Sequence, residues 1–171
     1  MKKPTQKQNI IIRLPRISDL DSSLEMINSL VEEKAMLTVQ KKSTHKEEEK
    51  YLKRILKEKE AIHLFLIIDG KVAGSAKVSR LGNGRNHIGE LGISLRYEYR
   101  GMGLGKKLSK AVMEKAIKKF KLKIIILNVF KKNKPAYYLY KELGFKKVGM
   151  IKGEVKYYNR YEDVITMVKY I

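Results

Sequence analysis

No cysteine occurs among the 171 residues, so disulfides, thiolate metal sites and a cysteine nucleophile are excluded by inspection. Proline is scarce as well, at three residues, and no Gly/Ser-rich or Pro-rich linker and no internal repeat divides the chain. Nothing marks a boundary, so one domain over 1–171 is expected. A chain of that length can bury about two thirds of the surface its unfolded form exposes. Long apolar runs are also missing: none approaches the roughly 20 residues of a membrane-crossing helix. The start, Met1-Lys2-Lys3-Pro4-Thr5, is basic but leads into a strand-like run rather than an apolar signal segment with a small-residue cleavage site. A cytoplasmic protein without a membrane partner is the expectation.

Acidic residues are few: 18 Asp and Glu stand against 38 Lys and Arg. The excess predicts a positive potential that attracts nucleic acid, phosphorylated cofactors or acidic protein segments, and it does not choose among them. Much of the lysine reads as solvated surface, or as a compositional or thermophilic bias.

What is there alternates between two periods. Ile10, Ile11, Ile12 and Leu14 form a short β run, and Ser18 or Asp19 can cap a helix carrying Leu20, Leu24, Ile27, Leu30 and Val31. Ser43 or Thr44 can cap a second helix, with Glu47, Glu48 and Glu49 near its positive end and Tyr51, Leu52, Ile55 and Leu56 as its apolar stripe. The acidic cluster fits helix-dipole chemistry better than a metal site. Ile62 to Ile68 reads as a strand, Asp69-Gly70 as a hairpin turn, and Val72 to Val78 as the returning strand. After a turn at Gly82-Asn83-Gly84 come a strand from Ile88 to Leu95, a glycine-rich segment, and a helix from Leu104 to Phe120 with Leu108, Val112, Ala116 and Phe120 on one face. Lys123 to Val129 is a β-branched run; Pro135 suits the first turn of a short helix that ends at Gly144. Phe145 to Tyr158 and Tyr161 to Tyr170 read as two closing strands. The predicted order is β, α, α, β, β, β, α, β, α, β, β, an α/β (α+β) fold.

The most specific segment is Arg100-Gly101-Met102-Gly103-Leu104-Gly105-Lys106, between a strand and a helix. Glycines lack the β carbon that would keep a phosphate from backbone N–H groups, and the helix that follows adds its positive end. The segment reads as an anion cradle suited to a pyrophosphate. Two nucleotide motifs fit it poorly: a Walker loop would continue Gly-Lys-Ser/Thr where this chain has Lys107, and the glycine spacing departs from the dinucleotide fingerprint.

Here the chain resembles the GNAT superfamily of acetyl-CoA-dependent N-acetyltransferases. Its signature Arg/Gln-x-x-Gly-x-Gly/Ala after the fourth strand is filled by Arg100, Gly103 and Gly105. A second block, Asn128-Val129, Asn133, Ala136, Leu139-Tyr140 and Gly144-Phe145, follows in the family's order and spacing. The resemblance covers residues 10 to 170, the first 60 in pattern only. It implies a mixed, mostly antiparallel central sheet of about seven strands with about four helices. It also implies that the strands ending at Leu95 and starting at Lys123 splay apart to admit the pantetheine arm of acetyl-CoA. By the same resemblance, backbone groups of Ile93, Ser94 and Leu95 bind that arm, residues 100 to 106 bind the pyrophosphate, and Asn133 contacts the cofactor. The family's general acid falls on Tyr140, with Tyr137 and Tyr138 left to packing or surface.

Acetyl transfer from a thioester requires a neutral amine, a place for the tetrahedral oxyanion, and a proton for the departing thiolate. Without cysteine, direct attack in a ternary complex is favoured over a covalent route. A strand N–H near Leu95 can stabilise the oxyanion. A phenol with an ordinary pKa of about 10 is protonated at neutral pH and suits Tyr140 to an acid's role. Glu90, five residues before Leu95, lies near where many family members carry the glutamate that deprotonates the amine, and a strand bulge could shift its face. His87 and a water relay are the other candidates for the base. No metal is expected.

The family usually lines its acceptor side with the early helices and the last hairpin, which here means residues 25–45 and 150–162, including Tyr161, Asp163 and nearby Met167. A basic surface repels polyamines, so a peptide or ribosomal-protein amine is favoured over a polyamine or small amine. The rival class is a basic nucleic-acid-binding module using Lys106, Lys107, Lys110, Lys115, Lys118, Lys119, Lys121 and Lys123, without any recognised motif; it allows nonspecific nucleic-acid contact. A homodimer through a sheet edge is common among relatives.

Overall fold

The computed structural model describes residues 8–171; the basic start Met1 to Thr5 lies outside the described residues. The strands are β1 (Ile10–Arg13), β2 (Ala61–Ile68), β3 (Lys71–Arg80), β4 (Ile88–Leu95), β5 (Ile124–Phe130), β6 (Lys146–Tyr157) and β7 (Arg160–Tyr170). The helices are α1 (Leu20–Glu32), α2 (His45–Lys57), α3 (Leu104–Phe120) and α4 (Lys134–Glu142). The seven strands form one sheet in the order β1-β2-β3-β4-β5-β7-β6, with every neighbouring pair antiparallel except β4 and β5. Element order and mixed sheet agree with the sequence expectation, with boundaries shifted by a residue or so.

Local chemistry explains the edges. Asp69 and Gly70 both take positive φ, 49° and 82°, which is what a two-residue turn between right-twisted strands requires. Thr44 caps α2 in a reciprocal box with Glu47. Asp19 sits at the N-cap of α1, but its carboxylate pairs with Arg13 at 2.7 Å and accepts from the Arg16 amide at 2.8 Å instead of capping. Of the three clustered glutamates, Glu47 closes the capping box, Glu49 pairs with Lys53 at 2.6 Å, and Glu48 is buried against the Ser23 hydroxyl at 2.5 Å. Burial raises the Glu48 carboxyl above the usual range, opposed by that hydroxyl.

Two cores sandwich the sheet. Leu104, Leu108, Val112 and Ala116 of α3, with Tyr140 and Leu143 of α4, pack on Leu64, Leu66, Val78, Leu91, Ile125 and Leu127. On the second face, Met26 and Leu30 of α1 and Leu52 and Ile55 of α2 cover Phe65, Ile67 and Val72. Leu56, expected on the α2 stripe, is exposed because Leu52 and Ile55 already complete the contact. The first face is therefore covered by α3 and α4, while α1 and α2 shield the β2–β3 half of the second. Beyond β5, Phe130, Val164 and Tyr157 form a third cluster under Met36. The Tyr157 hydroxyl donates to the carbonyls of Lys34 and Ala35 at 2.6 and 2.9 Å, and the Gln40 amide bonds the Lys156 carbonyl and the Tyr158 N–H. The α1–α2 segment and the β6–β7 hairpin, flagged separately by sequence, are thereby joined.

Candidate active site

The site begins where the only parallel pairing in this sheet fails. β4 and β5 are in register at Ile88–Ile124, Gly89–Ile125 and Glu90–Ile126, and nowhere further. Past that point β4 stays paired with β3 through Leu95, and β5 stays paired with β7 through Phe130. The sheet therefore opens between Leu91–Leu95 and Leu127–Phe130, as the splay implied by the resemblance requires.

Register decides which backbone groups line the opening. The Arg96 N–H donates to Ala73 and the Leu81 N–H to Ile88, each at 2.9 Å. With Leu95 opposite Gly74 and Gly89 opposite Arg80, the even-numbered residues of β4 bond to β3 and the odd-numbered ones face β5. The amides and carbonyls of Ile93 and Leu95 thus turn into the gap. Those of Ser94 turn to Ser75, so Ser94 has only its hydroxyl left to offer on the second face. The β3–β4 register runs without a shift from Gly89 to Leu95, so the bulge considered for Glu90 is absent and simple alternation sets its face.

At the outer end of the gap sits the glycine segment. Gly101 and Gly103 both have φ of +73°, and Gly103 is the left-handed N-cap of α3 with no side-chain cap. The first helical bond, Lys107 N–H to Gly103 carbonyl at 3.2 Å, leaves the amides of Leu104, Gly105 and Lys106 without helical partners. A β carbon on Gly105 would stand 3.4 Å from Leu139 and 3.8 Å from Ile93, ordinary contact distances, so α3, α4 and β4 meet closely at this point. Leu104 is buried in the core, Met102 is exposed, and the Lys106 ammonium pairs with Glu142 at 3.0 Å. Their contribution to an anion site is their backbone. Arg100 is anchored: Nε and Nη2 donate to the Leu95 carbonyl at 2.9 and 2.8 Å, and the guanidinium pairs with Glu33 at the end of α1. This ties the glycine segment to the end of β4 and to α1.

The candidate acid and base lie on opposite faces of the opening. Tyr140 is 5% exposed within the α3-side core, its ring 6.0 Å from Phe145 in an edge arrangement. Burial alone pushes its phenol above the ordinary tyrosine range, so it keeps its proton through neutral pH. Glu90 points to the second face, at the vertex of the splay and partly exposed. Asn128 Nδ2 stands 3.5 Å from its Oε1, and the Thr166 hydroxyl donates to Asn128 Oδ1 at 2.9 Å. Sequence reasoning noticed Asn128 only as part of a block and missed Thr166; their link to Glu90 spans 38 residues in each step. His87 lies at the closed end of the strands, exposed, its carbonyl accepting from the Lys123 and Ile124 amides, about 10 Å of strand from Glu90. Asn133 caps α4 by accepting from the Ala136 amide at 3.2 Å. Tyr137 is half-buried and Tyr138 exposed. Among the described residues, no group of three metal-ligating side chains converges.

One place thus brings together a backbone-lined gap, a glycine segment with unpartnered amides, a buried phenol on one face and a carboxylate on the other. Residues 25–145 match the acetyltransferase (GNAT) family, and the chain belongs to that family. It is similar to an N-alpha-acetyltransferase of Sulfurisphaera tokodaii, with 31% identity over 122 residues, 66% of this chain and 71% of the relative. An acetyltransferase of the GNAT family from Streptococcus pneumoniae superposes with a TM-score of 0.84 at 26% identity, covering 95% of this chain and 99% of that one. The fold also matches a GNAT superfamily phosphinothricin acetyltransferase from Sinorhizobium meliloti, solved with acetyl-CoA, at a TM-score of 0.78 and 20% identity over 95% and 88% of the two chains.

Proposed function

We propose that the chain transfers the acetyl group of acetyl-CoA to the α-amine of a peptide or protein by direct attack in a ternary complex. The observation that carries the cofactor half is the end of β4–β5 pairing at Glu90–Ile126, which turns the free amides of Ile93 and Leu95 toward a gap closed by the Gly103 cradle. Those amides suit the pantetheine arm and an oxyanion; the unpaired amides of residues 104 to 106 suit the pyrophosphate. The S. meliloti structure with acetyl-CoA supports the same cosubstrate on this fold.

In this reading the thioester lies across the opening. The amine comes from the second face, where helices leave Glu90, Asn128 and Thr166 accessible, and Glu90 accepts its proton directly or through water. The thiolate departs on the α3 side beneath Tyr140. A thiol of ordinary pKa near 8.5 is more acidic than a buried phenol raised above 10, so Tyr140 keeps its proton and stabilises the departing thiolate by donating a hydrogen bond, and the thiolate takes its proton from water as the product leaves. An α-amine, with a pKa near 8, needs less help from a base than a lysine amine near 10.4. The N-alpha-acetyltransferase relative favours that acceptor over a polyamine. Incubation with isotopically labelled acetyl-CoA and either free or N-blocked peptides, read by mass spectrometry, tests it: label on the α-amine supports the reading, and label only on spermidine or a small amine rejects it.

A further inference from the structure

This inference rests on the peptide-acceptor reading and concerns which peptides are taken. Along the second face, β7 carries Thr166, Val164 and Glu162 in alternation away from Asn128 and Glu90. Glu162 is only 3% exposed, and its Oε1 meets two cations at once, Lys132 Nζ at 2.8 Å and Arg160 Nε at 2.9 Å. Two cations on one carboxylate oxygen leave a positive charge in excess. They also hold both cationic side chains at a fixed place, although each is itself more than half exposed.

The surroundings add to this excess. A cavity of about 360 Å³ beside Arg160 is lined by Lys34, Met36, Tyr157, Tyr158 and Asn159, with no acid. A second, of about 280 Å³, holds Lys131, Lys132 and Lys134 against Glu162 and Asp163. Asp163 is already taken by Lys131 at 3.1 Å and by the Gly153 amide, which together hold its carboxyl below the usual range. Where lysines elsewhere on this basic chain do meet an acid they pair singly, as Lys106 does with Glu142 and Lys53 with Glu49, whereas here two cations share one buried carboxylate oxygen. At this corner, cations outnumber carboxylates. The Tyr157 bonds to Lys34 and Ala35 hold the frame shut, so the corner is built rather than a loose tail.

Reach decides which part of a peptide meets it. Four strand residues separate Thr166 from Glu162, about 13 Å, and an extended peptide crosses that distance in about four residues. We propose that the Lys132–Glu162–Arg160 corner, with Lys34, selects acceptor peptides bearing acidic side chains at about their third to fifth residues. The charge contacts are exposed to solvent, so each contributes several-fold rather than orders of magnitude, and salt weakens them.

The test uses three peptides with identical first two residues and Ser, Glu or Lys at positions three to five, assayed with acetyl-CoA for kcat/KM. Glu over Lys is expected at about tenfold in low salt, with Ser between, and a narrower spread in 0.5 M salt. Arg160→Gln and Lys132→Gln, each leaving Glu162 one cation, should each cut the Glu-to-Lys ratio by about threefold. Because the ratio is taken on one preparation, a partly unfolded variant does not distort it. Lys118→Gln with Lys119→Gln, at the far end of α3, removes as much or more charge and should leave the ratio intact. Equal rates for the three peptides, or a ratio that falls as far in the α3 variant, overturn this proposal alone. Turnover of a small amine with none of the peptides overturns both it and the peptide reading.

Discussion

The two ends of the β4–β5 pair share one backbone and do different work. At the closed end, Ile88 to Glu90 lie in register with Ile124 to Ile126, and Gly89 is pressed so close to Leu122 and Val78 that an added β carbon would stand 2.7 Å from each. At the open end, the same strands give up their mutual hydrogen bonds, and the amides of Ile93 and Leu95 turn to empty space. Unpaired backbone in a sheet interior is costly unless something else satisfies it. Part of that need is met by Arg100 on the Leu95 carbonyl, and the rest is available to a ligand. The closed end supplies stability, and in the proposed function the open end supplies the chemistry.

This contrast can be broken from either side. Ile125→Ala, at the closed end, removes a fully buried side chain from the α3-side core and should cost about 2–5 kcal/mol, seen as a lower denaturant midpoint. Tyr140→Phe should do the reverse: turnover falls about 100-fold, acetyl-CoA affinity stays within about twofold, and the melting temperature barely moves, because no hydrogen bond contributes to the state of its hydroxyl. Unchanged turnover would remove Tyr140 from the mechanism. Glu90→Gln should lose about tenfold in kcat/KM near pH 6.5, where an α-amine is mostly protonated, and less toward pH 9. A ratio to wild type that ignores pH would remove Glu90 as the base.

The smallest effect lies far from the gap. His63 is buried under α2 with Nε2 2.8 Å from Glu58, and desolvation lowers its pKa below the ordinary value despite that partner. The unfolded chain therefore binds the extra proton more readily. The contribution is complete above about pH 6.5 and is lost as pH falls below it. Melting followed from pH 7.5 to 5.5 should decline more steeply for wild type than for His63→Gln, and identical slopes would contradict this sign.

Legibility followed sequence distance. The glycine segment and the Asn133–Tyr140–Phe145 block could be read because their chemistry depends on spacing within one strand–helix connection. Asp69-Gly70 and Thr44-Glu47 were equally plain, since turn and cap chemistry is local. Asp19 takes the N-cap position that local pattern offers, but Arg13, six residues away, draws its carboxylate off the capping bond. Leu56 carried the right period but had no partner left to cover it. What could not be read were pairs that only the tertiary fold creates: Arg100 with Glu33, 67 residues apart, and the Asn128–Thr166 support beside Glu90. The even–odd split that separates Ser94 from Ile93 and Leu95 depends on the β3–β4 register, which no local pattern encodes.

The most direct test of the account is calorimetric titration of acetyl-CoA into the wild-type chain and Gly103→Glu. The variant adds a carboxylate, and a strained side chain at φ +73°, to the cradle, where no neighbouring atom lies within 4 Å of the new β carbon. The account predicts saturable binding by wild type, weakened at least about 100-fold in a variant whose circular-dichroism melt shows it folded. Folded wild type that fails to bind, or a variant that binds equally well, would contradict it.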